Sequence, residues 1–376
     1  MIETDIVLGS GMKISVPRDE LAQRLGVVAR AVSTRSAVQV LLGVLLRAEE
    51  GQLHLAATDM ELSLRASLEA DVDGDGAAVV PGRLLVDLVR QLPAGEVTLE
   101  HRPEEGVVRV DSGASQSRLN SYGVEDFPRL PGLEGVQTFT VAREPLLATV
   151  AQVSRAASRD ESRPVLTGIL VRLEAGKLVM AATDSYRLSV KETALGDGAP
   201  DFEAIVPARA LGELARIAQT GEEIEMGLHE NQVVFLVDGV TLTSRRIDGQ
   251  FPNYRQLVPE SFEHVVHVPR AELLEVVRRT AVIVQRNSPL RLRFAEGELT
   301  VSAQTQDVGE SRETLPVAFD AEPLEIGFNA EFLREGIESV SGDELRLKLI
   351  SPLRPAVLQG EGDDFTYLLM PIRLAG

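Results

Sequence analysis

Cysteine and tryptophan are absent from the chain, and aromatic residues make up only 4% of its 376 positions. Without cysteine there are no disulfides, no thiolate nucleophiles and no Cys–zinc sites. No apolar run is long enough to span a bilayer. The first residues, with Glu3 and Asp5 and no basic start, do not read as a signal peptide. No membrane association is expected, and a cytoplasmic location is. Motifs for chemistry are missing too. There is no GxxxxGK[ST] phosphate loop, no GxGxxG opening a helix, and no serine marked as a nucleophile. His264 and His267 sit three apart on a strand-like stretch without a third ligand nearby, so neither a metal nor a cofactor is expected. Lysine is scarce: Lys13, Lys177, Lys191 and Lys348 leave 34 of the 38 basic residues as arginine. Genomic base composition accounts for that bias more readily than selection for phosphate, although Arg does bind phosphate in a bidentate way that Lys cannot.

What is present is apolar enough to fold and acidic overall. Hydrophobic residues are 44% of the chain, sufficient for full cores, and its length implies two or three domains. The net charge of −19 argues against nucleic acid at face value. A partner feels the local field, however, not the whole-molecule sum.

The chain repeats itself. Gly51-Gln52-Leu53-His54-Leu55-Ala56-Ala57-Thr58-Asp59 recurs, with three differences, as Gly176-Lys177-Leu178-Val179-Met180-Ala181-Ala182-Thr183-Asp184, an offset of 125. Val16-Pro17-Arg18 matches Val141-Ala142-Arg143, and Leu41-Leu42-Gly43 matches Leu166-Thr167-Gly168, at the same offset. Val80-Pro81 recurs as Val206-Pro207, one residue further on. A worn third copy carries Val268-Pro269-Arg270 and Gly297-Glu298-Leu299-Thr300-Val301. Fixed offsets of this kind signal repeated structural units. We expect three similar domains, at 1–135, 136–260 and 261–376. The linkers between them are turn-rich, around Phe127-Pro128 and Phe251-Pro252.

Each copy follows one plan: a strand, a helix, alternating strands, a second helix, more strands. The first helices are expected over 18–32, 144–159 and 271–286, the second over 82–91, 208–219 and 330–340. Such a density of strands with two helices indicates an α+β domain, its helices on one face of antiparallel sheet. Five of the six helical segments sum to +1, and 330–340 to −2. The helices thus tend positive in an acidic chain.

Residues 179–190, VMAATDSYRLSV, carry the most distinctive mixture. A strand runs into Thr183-Asp184-Ser185, turn formers that bond their own backbone. Tyr186, Arg187 and Leu188 follow. An aromatic ring, a forked cation and an aliphatic chain suit peptide docking better than a reaction centre. Asp59 and Asp184 read as turn residues. A hydrolase using them as a carboxylate pair is the enzyme-class alternative.

Three similar domains, the Ala182-Thr183-Asp184-x-x-Arg187-Leu188 turn, Phe251-Pro252-Asn253-Tyr254 and the C-terminal Met370-Pro371-Ile372-Arg373-Leu374 together resemble the bacterial sliding clamp, the beta subunit of DNA polymerase III, along essentially the whole chain. The resemblance implies three DNA-clamp domains per chain and a head-to-tail homodimeric ring of six. Such a ring encircles duplex DNA, is opened by a clamp loader, and tethers the replicative polymerase, repair polymerases and mismatch-repair proteins through short linear motifs. It has no catalytic activity. Twelve helices of ~10 Å width around a hole give a circumference on the order of 120 Å and a diameter of roughly 38 Å, enough for a hydrated duplex. Weak positive charge suits sequence-blind sliding.

Site residues follow from the resemblance by matching motif. The partner-peptide pocket would take Leu166, Thr183, Ser185, Tyr186, Arg187 and Leu188. It would add Pro252, Gln256 and Leu257 from the linker, and Leu368, Met370, Pro371, Ile372 and Arg373 from the tail. DNA contact is expected from Arg35, Arg83 and Arg90, and from helix position at Arg30, Arg155, Arg216 and Arg279. The ring seam would set Arg118 and Leu119 against Val282 and Ile283. The chain departs from the family's familiar form at Ser185-Tyr186, where Gly-His is usual, and at Gln256, where Arg is common. It also has about eleven residues before the first strand, and Ala375-Gly376 at the end. A monomeric three-repeat scaffold that never meets DNA is the binding-class alternative.

Overall fold

The computed structural model describes residues 11–130, 136–174, 176–195, 201–229, 231–285, 288–306, 308–362 and 364–374. The residues before Gly11 and the Ala375-Gly376 tail, both noted above, lie outside these.

The helices form where apolar side chains recur at helical spacing. Leu21, Leu25 and Val28 are the buried positions of the helix Arg18–Val28, a stripe at i, i+4 and i+7. Asp19 and Glu20 occupy its first turn, where the helix dipole favours negative charge. The same element recurs as Arg143–Val153 and Arg270–Ala281. The second helices are Gly82–Gln91, Ala208–Ile217 and Ala330–Ser339. In the last of these Asn329 is the N-cap, its side-chain oxygen accepting the Phe332 N–H at 3.1 Å. Among the described residues no helix is long and apolar enough to cross a membrane.

Among the described residues the strands form four antiparallel sheets, and two of these run through the repeat boundaries. One eight-stranded sheet joins strands of the first copy to strands of the second, because Val240–Arg245 pairs with Leu62–Glu69, with Leu242 opposite Leu64. The other joins the second copy to the third, because Arg187–Ala194 pairs with Phe365–Leu369, with Leu188 opposite Leu368. A five-stranded sheet and a four-stranded sheet complete the set. The antiparallel sheets expected from the sequence are present, and their pairing follows spatially adjacent edges, not chain order. Two compact units result: residues 1–143 with 213–246, and residues 144–212 with 247–376.

In the second unit one core gathers Phe294, Phe328, Leu333, Ile337 and Tyr367 from the third copy. A smaller cluster of Leu170, Ala181, Leu188, Ile205, Tyr254 and Leu368 lies where the second copy, the 251–258 linker and the last strand meet.

Candidate functional site

Two Thr-Asp turns are built identically. Thr183 Oγ1 donates to the Arg187 carbonyl at 2.7 Å and accepts the Ser185 N–H at 3.2 Å. Asp184 Oδ1 accepts the N–H groups of Tyr186 and Arg187 at 2.9 and 3.0 Å. In the first copy Thr58 and Asp59 make the corresponding bonds to Met60, Glu61 and Leu62. Both carboxylates are thus engaged in holding a turn. Ser185 and Met60 occupy the same left-handed corner, at φ +81° and +78°. That conformation favours glycine, so Ser185 carries a local backbone cost.

The turn is fastened from three sides. Its carbonyl at Tyr186 accepts the Met370 N–H at 2.9 Å, which attaches the C-terminal tail. Arg163 Nη1 donates to Ser185 Oγ at 3.1 Å. Arg187 points inward and is only 7% exposed. Its guanidinium donates to Asp184 Oδ2 at 3.1 Å and to Glu335 on the helix Ala330–Ser339. It also lies 4.1 Å from the centroid of the Phe332 ring, in cation–π contact. Burial disfavours its charge, but Tyr367 and Glu335 outweigh that and hold the guanidinium above its ordinary pKa. Tyr367 in turn donates to the Phe332 carbonyl at 2.8 Å, and burial pushes its phenol up.

Arg187 therefore differs from the sequence expectation of an exposed docking anchor. Two carboxylates and a ring arranged around it compensate for the burial of the cation, which ties the turn to a helix of the third copy. Glu335, Phe332, Tyr367 and Arg163 were missed by sequence reasoning. A contact spanning 148 residues leaves no local signal.

Other expected pocket residues do converge. Leu188 and Leu368 are buried opposite each other on neighbouring strands and pack with Tyr254 of the linker. Around this floor Tyr186, Leu257 and Met370 are exposed, at 62%, 49% and 41%. Pro252 and Gln256 are exposed beside them in the linker, while Leu166, Pro371 and Ile372 are half-buried and Arg373 is exposed. The Ile372 N–H donates to the Gly327 carbonyl at 2.8 Å, which fixes the tail's course. The arrangement offers an apolar floor, a partly exposed apolar rim and backbone groups held in place, as a linear peptide requires.

The seven arginines assigned to DNA separate into two groups. Arg35, Arg83 and Arg90 are exposed, and among the described residues they have no carboxylate partner. The four assigned by helix position are ion-paired. Arg30 and Arg216 share the buried Glu213, each at 2.5 Å. Arg155 pairs with Glu338, and Arg279 with Glu313 at 2.7 Å. Glu338 also accepts from Arg278 at 3.0 Å. Burial would raise the Glu338 carboxyl, but these arginines outweigh it and hold the group below its ordinary value. The negative charge of the 330–340 helix is in this way largely neutralised by arginines.

Of the seam residues, Arg118 is exposed and paired with Glu105, whereas Leu119 is buried within its own unit. Val282 is 83% exposed and Ile283 half-buried. His264 rests 5.2 Å from the Phe319 ring and His267 Nδ1 lies 2.7 Å from Glu344. Among the described residues no group of three or more His, Asp or Glu could hold a metal ion.

Family models describing the DNA polymerase III beta subunit match the chain in three consecutive pieces. The N-terminal domain matches residues 12–131, the central domain 140–253 and the C-terminal domain 255–373. The beta sliding clamp of Streptomyces coelicolor is 35% identical, covering 97% of this chain and all of that protein. That of Synechococcus elongatus is 36% identical, covering 96% of this chain and all of its own length. Among solved structures, the sliding clamp from Bartonella birtlesii bound to griselimycin superposes with a TM-score of 0.90 at 31% identity, covering 97% of this chain and all of that one. With three clamp domains in sequence and in structure, the chain belongs to the family of DNA polymerase III beta subunits, the beta sliding clamps.

Proposed function

We propose that two copies of this chain close head to tail into a ring around duplex DNA and tether a DNA polymerase to it, without catalytic activity of their own, in the cytoplasm. The domain limits follow the repeats, 1–135, 136–260 and 261–376. The observation that carries the tethering role is the convergence in one unit of the Thr183–Leu188 turn, the 252–257 linker and the 368–373 tail around a buried Leu188–Leu368–Tyr254 floor. This groove takes short linear motifs from the polymerase, the clamp loader, repair polymerases and mismatch-repair proteins.

Two sheet edges support the ring seam. Ser115–Asn120 ends the five-stranded sheet and Gly309–Pro316 ends the four-stranded one. Each presents unpaired backbone groups, and such edges pair readily with another chain. Arg118 on one edge and Glu310 on the other supply opposite charges. Arg118 accordingly meets Val282, Ile283 and their neighbours across the seam, with Leu119 packed behind it in its own unit. Within the ring, Arg35, Arg83 and Arg90 contact phosphate without reading sequence, because among the described residues no carboxylate holds their guanidinium groups. Arg30, Arg155, Arg216 and Arg279 face the DNA with charge already shared with carboxylates, and contribute less.

Deleting residues 370–376 tests the pocket. Binding of a polymerase-derived peptide should be lost while light scattering still reports twice the 40.7 kDa of one chain. Unchanged peptide affinity would rule the assignment out.

A further inference from the structure

A second groove of about 450 Å³ lies in the first unit. Its apolar floor includes Leu45, Ala56, Val124, Phe127 and Leu130, and Gly239 and Thr241 line the far side. The internal repeat explains why it exists. Leu45 and Ala56 stand 125 residues before Leu170 and Ala181, which belong to the cluster under the peptide pocket. Phe127-Pro128-Arg129-Leu130 stands 124 residues before Phe251-Pro252-Asn253-Tyr254. Strand Val240–Arg245 pairs with Leu62–Glu69 as Phe365–Leu369 pairs with Arg187–Ala194. The groove is thus the first unit's counterpart of the candidate peptide pocket, with a different rim.

That rim is basic. Arg47, Arg65 and Arg129 line it against a single carboxylate, Glu49, in a chain of net charge −19. Glu49 is engaged by Arg47 at 2.6 Å. Arg129 is exposed and, among the described residues, has no carboxylate partner. An apolar floor with a cationic rim matches one class of ligand. Duplex DNA needs the cations but not the floor, and a purely apolar peptide needs the floor but not the cations.

We propose that this groove is a second docking site, taking a short partner segment that carries carboxylates beside one or two aliphatic or aromatic side chains. The carboxylates meet Arg129, the cation with no carboxylate partner among the described residues, while the apolar side chains lie on Phe127 and Leu130. The two grooves differ in charge, so they select different segments, and one chain can hold two partners at once.

The test uses the full chain carrying Met370→Glu, which disables the pocket in the second unit. The probe is a fluorescein-labelled Glu-Asp-Leu-Phe-Glu-Asp peptide, followed by polarisation. Saturable binding at micromolar to sub-millimolar concentration is expected. Adding Arg129→Glu on the exposed linker should weaken it about tenfold or more, the loss of one charge-assisted hydrogen bond. Ala56→Phe, which fills the floor, should weaken it as well. Three results would overturn the proposal: no saturation up to about 1 mM, affinity indifferent to Arg129→Glu, or binding by the unsubstituted chain that Met370→Glu abolishes. Displacement of the peptide by a duplex oligonucleotide would mark the groove as a phosphate surface, and would overturn it too.

Discussion

Replacing Arg187 with alanine is the most informative perturbation of the candidate pocket. The side chain is 8% exposed and its two carboxylate partners, Asp184 and Glu335, are 12% and 14% exposed. Removing the cation strands both acids. Breaking a buried ion pair from one side costs about 3–5 kcal/mol, chiefly because the remaining charge loses its compensation. Asp184 keeps two backbone N–H donors, so most of the penalty falls on Glu335 and the lower end of the range applies. The turn loses its tie to the Ala330–Ser339 helix at the same time, and with it the set of Tyr186 against Met370. Urea unfolding followed by circular dichroism should show the second unit destabilised by about 3 kcal/mol at neutral pH. Hydrogen exchange at Phe365–Leu369 should accelerate in parallel, and affinity for a polymerase-derived peptide should fall. Arg187→Ala with stability within about 0.5 kcal/mol of wild type and unaltered peptide affinity would refute the reading of Arg187 as the positioning cation.

The other expectations concern charge and the seam. Alanine at Arg35, Arg83 and Arg90 together should weaken DNA binding and flatten its salt dependence by about one unit of slope for each phosphate no longer neutralised, as measured by fluorescence titration at several ionic strengths. Alanine at Arg279 should do less, because Glu313 already holds that guanidinium at 2.7 Å. Val282→Asp places a charge on an 83% exposed apolar side chain, and should leave single chains of 40.7 kDa in light scattering at micromolar concentration. Glu338 has its folded pKa depressed by its arginines. Its contribution should be full above the ordinary carboxylate range and lost as pH falls through the lower folded value. In urea unfolding, Glu338→Gln should therefore trail the wild type at pH 7 and draw level in acid.

Much of this architecture is readable from the chain itself. The offset of 125 exposes the repeats, and apolar residues at Leu21, Leu25 and Val28 mark a helix without any coordinates. The Thr-Asp turns follow from the hydrogen-bonding habits of short polar side chains. Sheet continuity is not readable, because alternation along Val240–Arg245 says which face is buried but not that Leu62–Glu69 lies beside it. Charge partners are equally hidden. Arg30 and Arg216 look like free helix-surface cations until Glu213 is found between them. Arg187 looks like an exposed anchor until Glu335 is found on another copy's helix. Local patterns specify elements, while the pairings that set a cation's role are made by residues far apart in the chain.

Topological linkage to DNA is the central claim, and retention after loading measures it most directly. The purified protein is loaded onto nicked circular DNA and onto the same DNA cut once, and each is passed over a sizing column at high salt. A hoop that surrounds the double helix should stay on the circle and run off the cut molecule. Equal loss from both, or equal retention on both, would contradict encirclement.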